Sequence, residues 1–198
     1  MVHIYIKGSS NVTFCLLHSE GHDEHELLNI AKEIDPKANV LAIRGSIVEN
    51  DSYRFFKQKN IGQYDEISLK QETHRLKSFI NESAKSFGFD INKVILIGNA
   101  HGANIGINIM FLYDKAFYKA ILFHPMIPQR PKDLPNLNQM NIFIGAGEND
   151  YMAPQHEVYE LTQILQSANA RVDVYFTNYG HQLGKEEVLA AKCWYHEK

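Results

Sequence analysis

The stretch Val94-Ile95-Leu96-Ile97-Gly98-Asn99-Ala100-His101-Gly102-Ala103-Asn104-Ile105-Gly106 constrains this chain more than any other. An aliphatic run rich in β-branched residues reads as a buried strand, and the pattern that follows almost at once reads as a helix. Between them lies Gly98-x-Ala100-x-Gly102, with glycines where strand and helix come too close for a side chain. A strained turn of this kind lifts its apex residue clear of the sheet, and in the pattern G-x-S-x-G that residue is a nucleophilic serine. Here the apex is Ala100. The chain carries the geometry of nucleophilic catalysis with a methyl group where the reactive atom belongs.

Around this turn, apolar runs alternate with helical patterns. The alternation predicts an α/β fold: a mostly parallel, twisted sheet of about seven strands with helices on both faces. Strands are expected at Val2–Lys7, Val12–His18, Val40–Ile43, Val94–Ile97, Lys119–Phe123, Ile142–Ile144 and Val172–Phe176. The first two flank Gly8-Ser9-Ser10-Asn11, a turn composition that predicts an antiparallel hairpin at the sheet edge. Helices are expected at Glu24–Ile34, Ser68–Phe87, His101–Tyr113, Gln155–Ala168 and Lys185–Tyr195. In the second, Leu69, Leu76, Phe79, Ile80 and Ala84 share one face, which should pack on the sheet. Residues 44–67 and 125–139 fit neither pattern, and long connections after strand ends suit lids or binding loops above the turn.

A length of 198 residues with 44% hydrophobic content suits a single domain, 1–198, with a sizeable core. The net charge of −3 supplies no basic field for nucleic acid. No apolar run approaches membrane-spanning length, and no signal peptide is evident, so the expected location is cytoplasmic. The two cysteines, Cys15 and Cys193, are too few for a disulfide framework or a zinc knuckle and are expected as buried thiols.

A serine nucleophile needs a base, a carboxylate that orients the base, and donors for the oxyanion. In an elbow of this type the chain order is nucleophile, acid, histidine. Asp150 lies in the glycine-rich loop Gly145-Ala146-Gly147-Glu148-Asn149-Asp150, just before Pro154 opens a helix, with Glu148 as the rival acid. His181 follows the last expected strand. Alone, a strand-end Asp is more often a helix cap or turn former than a catalytic acid, and a lone loop His is no stronger a signal, but all three sit where strands should end. The oxyanion donors are expected to be the backbone N–H groups of His101, after the apex, and of Glu20, in the loop after the second strand.

That loop also holds His18, His22 and His25 among Asp23, Glu24 and Glu26, a metal-ligand composition. Asp23 and Glu26 are spoken for as a helix cap and its capping-box partner, so no metal is expected. Tyr53, Phe55, Phe56 and Tyr64, with Met126 and Ile127, are candidates for an apolar roof over the substrate, or simply anchors of long loops. Arg44 and Arg54 can meet a substrate carboxylate, although an ion pair with Glu49 accounts for one of them equally well.

Five stretches carry a resemblance: 17–28, 44–56, 98–105, 147–154 and 180–183. Through them the chain resembles small bacterial carboxylesterases of the phospholipase/carboxylesterase branch of α/β-hydrolases, in particular the subgroup associated with resistance to hydroquinones and quinones. The resemblance implies a nucleophile position at Ala100, an acid at Asp150, a base at His181 and oxyanion donors at Glu20 and His101. It also implies hydrolysis of a small-molecule carboxylic ester, with no cofactor and at most a second copy of the chain as protein partner, in a homodimer. The chain departs from the family pattern at Ser19 and His22, where glycines are usual, at Asn50-Asp51, where Asp or Asn followed by Gly is usual, and at Ala100. Two origins for the alanine stay open. Engineered replacement of serine explains why every other part persists; the alternative is a naturally inactive homologue that binds a small ligand.

Overall fold

Five strands of this chain are buried along all or nearly all of their length, which requires a sheet covered by helices on both faces. The computed structural model describes residues 1–60 and 63–198. In chain order they form β1 (His3–Ile6), β2 (Thr13–Leu17), α1 (Leu28–Ile34), β3 (Asn39–Ile43), β4 (Ile47–Glu49), β5 (Ser52–Arg54), β6 (Gln58–Asn60) and β7 (Gln63–Tyr64). Then follow α2 (Glu66–Phe87), β8 (Val94–Asn99), α3 (His101–Leu112), β9 (Lys119–Phe123), β10 (Asn141–Gly147), α4 (Gln155–Ser167), β11 (Arg171–Thr177) and α5 (Lys185–Glu197).

The main sheet has seven strands in the order β1-β3-β2-β8-β9-β10-β11. Every pairing is parallel except β1 with β3. This is the expected α/β architecture, with one correction. β1 and β2 do not form a hairpin: β1 runs antiparallel to β3, placing His3 opposite Ile43, and β2 lies between β3 and β8. The reason is burial. β2 is buried along its whole length and belongs at the centre, whereas no residue of β1 is fully buried and the strand tolerates an edge. Asn39 holds the intervening loop across the sheet, accepting from the Gly8 N–H at 2.9 Å and donating to the Ser10 and Val12 carbonyls.

The alternation of side chains along each strand builds two cores. Cys15, Leu17, Leu41 and Leu96 point to the face covered by α2, α3 and α4, where Leu69, Leu76, Ile80 and Ala84 pack as the periodicity of α2 predicts. Phe14, Leu16, Ile95 and Ile97 point to the opposite face, closed by Ala31 and Ile34 of α1 with Ala191 and Trp194 of α5. Cys15 is buried in the first core, but Cys193 is exposed on α5, contrary to expectation. Among the described residues, no helix is long and apolar enough to cross a membrane.

From β2 the chain leaves in one direction to β3 and later returns on β2's other side as β8. The C-terminal ends of β2 and β8 therefore flank a topological switch point, the crevice where open parallel sheets bind ligands. Both long connections lie near it, and the first is more ordered than a bare loop. It contains the ribbons β4–β5 and β6–β7, the former turning on Asn50 (φ 51°) and Asp51 (φ 58°), two left-handed residues as a tight hairpin turn requires. Residues 61 and 62 of that segment lie outside the described residues. The second connection is tied down at Met126, whose N–H donates to Asn104 Oδ1 at 2.7 Å, and at Ile127, whose N–H donates to Glu157 Oε1 at 2.9 Å.

Candidate active site

β8 ends in the anticipated sharp turn. Ala100 has φ 44° and ψ −108°, a conformation that strains any residue with a β-carbon. Its N–H donates to the Phe123 carbonyl at 2.8 Å, and its carbonyl accepts from the Asn104 N–H at 2.9 Å. The flanking glycines are needed for close approach. A β-carbon at Gly98 would lie 2.6 Å from Ala103 Cα, and one at Gly102 would lie 2.1 Å from the Leu17 carbonyl oxygen. His101 opens α3, so its N–H has no acceptor within the helix.

The ring of His101 faces away from chemistry. It is buried, stacks on Phe56 at 4.0 Å, and its Nε2 accepts the Phe56 N–H at 3.3 Å. Burial, reinforced by the charge of Arg54, lowers its pKa to about 3, so the ring is neutral. Phe55 and Phe56 are themselves buried, at 1% and 0% exposure, in the core on this face. They anchor the first connection and do not line the cleft, and Tyr53 lies against Arg44, 4.6 Å from its guanidinium carbon. Of the roof candidates, Met126 and Tyr64 line the cleft.

The loop after β2 is positioned by a carboxylate that sequence reasoning assigned elsewhere. α1 begins at Leu28, not at Glu24, and its N-cap is Leu27. Asp23 closes a local turn by accepting the His25 N–H at 2.9 Å. Glu26 is not a capping-box partner: it accepts the N–H of Ser19 at 2.6 Å, the Ser19 hydroxyl at 2.7 Å and the Asn99 side-chain amide at 3.0 Å. Glu26 thereby fastens the Ser19-Glu20 loop to the residue before the elbow apex. The Glu20 carboxylate pairs with Arg54, which also reaches Glu49 at 3.6 Å, while Arg44 is held by Glu24.

The three loop histidines do not assemble. His18 is buried with both ring nitrogens committed, Nδ1 to the Ser19 carbonyl at 2.7 Å and Nε2 to the Gly45 N–H at 2.9 Å, and burial lowers its pKa. His25 stays with Asp23, and His22 with Ser19. Asp23, Glu24 and His25 do bring ligand-type atoms within 4.8 Å, but Glu24 is engaged by Arg44.

On the other side of the elbow, the loops after β10 and β11 bring Asp150 and His181 together. His181 Nδ1 lies 2.7 Å from Asp150 Oδ2. Asp150 Oδ1 accepts the N–H groups of Met152 and Ala153 at 2.8 and 2.9 Å, so both oxygens are fixed. Although burial opposes ionisation, the hydrogen bonds from two imidazoles and the Ala153 N–H hold the carboxyl far below the usual range. The rival acid, Glu148, is exposed.

The second imidazole is His124, which sequence reasoning missed. It follows β9 with φ 48°, is 0% exposed, and places Nδ1 3.2 Å from Asp150 Oδ2. Its Nε2 lies 3.2 Å from Oε1 of Glu187, also 0% exposed, an ion pair out of line for a hydrogen bond. Burial opposes the charge on His124, but the two carboxylates outweigh it and raise its pKa to about 9. The available signal was positional: His124 stands immediately beyond β9, as Asp150 and His181 stand within four residues of the ends of β10 and β11.

Ala100, His101, Glu20, Met126 and His181 line one cleft of about 1100 Å³ at the switch point. A parallel sheet with an elbow at its switch point and a His-Asp pair on the neighbouring strand ends defines the α/β-hydrolase class. Residues 52–195 match the phospholipase/carboxylesterase family, and the chain belongs to that family. Over 197 residues it is 42% identical to MhqD of Bacillus subtilis (strain 168), a protein whose name assigns it only to the hydrolases; the match covers 100% of this chain and 98% of MhqD. The crystal structure of the Bacillus cereus carboxylesterase superposes with a TM-score of 0.97 at 40% identity, covering 98% of this chain and 93% of that one. A structure of YahD with malic acid gives a TM-score of 0.95 at 34% identity, covering 99% and 98% of the two chains.

Proposed function

We propose that this cleft is a carboxylic-ester hydrolase site whose nucleophile position is residue 100, and that the chain with alanine there does not form an acyl-enzyme. The observation that carries this reading is the 2.7 Å bond between His181 and Asp150, in a pocket shared with the strained elbow. With serine at position 100, His181 takes the hydroxyl proton as the oxygen attacks the ester carbonyl. The oxyanion is met by the N–H groups of His101 and Glu20, Asp150 holds the imidazole tautomer, and His181 returns the proton to the departing alkoxide. Water then repeats the sequence and frees the acid. Beyond the serine at position 100 and the attacking water, these steps draw on His181, Asp150 and the backbone N–H groups of His101 and Glu20.

The cleft wall mixes apolar Met126, Met152 and Leu183 with polar Glu20, Arg54 and Lys59, which supports small esters of short to medium acyl length over long-chain lipid. Malic acid in the YahD structure is a small acid of comparable scale. The decisive variant is Ala100→Ser. It is expected to raise turnover of p-nitrophenyl esters by the order of a millionfold, the size of the loss when a serine nucleophile is deleted, with an initial burst. A folded variant without gain would refute the reading, and best turnover on long-chain lipid esters would refute the substrate class. The second reading, a small-ligand binding protein, is favoured by Ala100 itself. It predicts ligand binding by the chain as it stands and no gain of turnover from serine.

A further inference from the structure

The chain buries more charge behind Asp150 than a His-Asp pair needs. Two carboxylates, Asp150 and Glu187, have fully buried side chains, and the ring of His124 lies between them with one nitrogen 3.2 Å from each. His181 approaches the same Asp150 oxygen from the cleft, its ring centroid 5.3 Å from that of His124. These are the titratable groups facing His124: Asp150 from the β10–α4 connection, Glu187 from α5, and His181 from the β11–α5 connection.

The proton inventory follows from geometry. A neutral His124 donating through Nδ1 to Asp150 would turn the lone pair of Nε2 toward a carboxylate oxygen, a repulsive arrangement in a low-dielectric interior. A proton carried by Nε2 or by Glu187 removes that repulsion. Glu187 sits in the first turn of α5, where the helix dipole favours an anion, and its Oε2 already accepts the Gly184 N–H at 2.8 Å. Both features keep the charge on Glu187 and the proton on the ring.

We propose that His124 is a buried imidazolium clamped between Asp150 and Glu187, and that it acts as a positioning residue, fixing the Asp150 oxygen on which His181 is hung. Its catalytic consequence rests on the esterase reading; the clamp itself does not. The raised pKa of His124, about 9, agrees with this arrangement. Because Glu187 also caps α5, the clamp ties the seating of that helix to the aim of the base.

Two experiments test it. In the chain as it stands, nitrogen-15 NMR of labelled histidines is expected to show His124 doubly protonated at neutral pH and losing a proton near pH 9. A low-field Nδ1–H signal from His181 should broaden or vanish in His124→Gln. A neutral His124 at neutral pH, or a His181 signal unchanged by that substitution, overturns the proposal. In the Ala100→Ser background, His124→Gln should lower kcat by about tenfold with KM within about twofold, and abolish the decline in kcat on the alkaline side. Glu187→Gln should move that decline down by roughly one pH unit, and it serves in both experiments if His124→Gln does not fold. An unaltered pH profile in both variants overturns the proposal. If Ala100→Ser turns over no ester while the NMR results hold, the esterase reading fails and the clamp stands.

Discussion

Single atoms decide most of what this site can do. Glu26 gathers three donors onto two oxygens. Glu26→Gln replaces one of those oxygens with an NH2 group that can only donate, leaving at least one donor facing another. The expected cost is about 1 to 2 kcal/mol in urea unfolding, and with serine restored at residue 100 a fall in kcat/KM of roughly tenfold as the loop loosens. Unchanged stability and kinetics would show that the clamp is ornamental. Asp150→Asn in the same serine background removes the acceptor of both imidazoles and should lower kcat by about ten-thousandfold. A loss under tenfold would remove Asp150 from the mechanism. Legibility at this scale followed range in the chain. Ala100, Asp150 and His181 could be read because each stands beside a glycine-marked strand end. Glu26 and His124 could not, since their partners Asn99 and Glu187 are 73 and 63 positions away along the chain.

The same division holds for elements. β8, its turn and α3 form a local unit, and the glycines that permit its tight packing are visible in the sequence. Gly102→Ala would drive a β-carbon to 2.1 Å from the Leu17 carbonyl, backbone that cannot yield, so destabilisation of about 3 kcal/mol or more is expected. Gly184→Ala brings its β-carbon to ordinary contact with the Tyr179 ring at 3.4 Å and Glu187 Oε2 at 3.6 Å, both side chains, and should cost less than about 1 kcal/mol. Denaturant midpoints that fail to separate the two would contradict the close-approach account. The position of β1 was not legible, because a turn-like composition between two strands says that the chain bends and not with whom the strands pair. What decides it is the burial of β2 on both faces, which demands two parallel neighbours. The start of α1 was misread for a related reason: Asp23 and Glu26 have the composition of a helix start, but the elbow residue Asn99 and the loop residue Ser19 compete for Glu26 and win.

For the whole molecule, buried histidines set a pH window of stability. His101 and His18 are held neutral, their folded pKa values lowered, so the unfolded chain binds protons that the fold refuses. Their contribution is full above about 6.5 and is lost as the pH falls from there toward 3, at about 1.4 kcal/mol per pH unit for each histidine still being outcompeted. His124 has the opposite sign. Its raised pKa stabilises below about 6.5, and that contribution is lost as the pH rises through about 9. Urea unfolding across pH should therefore show a maximum near neutrality, with stability declining on both sides; a flat profile would contradict the charge states assigned to these rings. The α/β architecture was legible from the alternation of strands and helices, and the Gly98-x-Ala100-x-Gly102 turn pointed to the cleft that the strand order then set at a switch point. The central claim is that residue 100 stands within reach of a base braced by Asp150. The most direct measurement is mass spectrometry of intact protein after exposure to a fluorophosphonate. Ala100→Ser should gain one covalent adduct at residue 100, the adduct should disappear when His181→Ala is added, and the chain as it stands should gain none. Absence of an adduct on a folded Ala100→Ser protein would contradict the account.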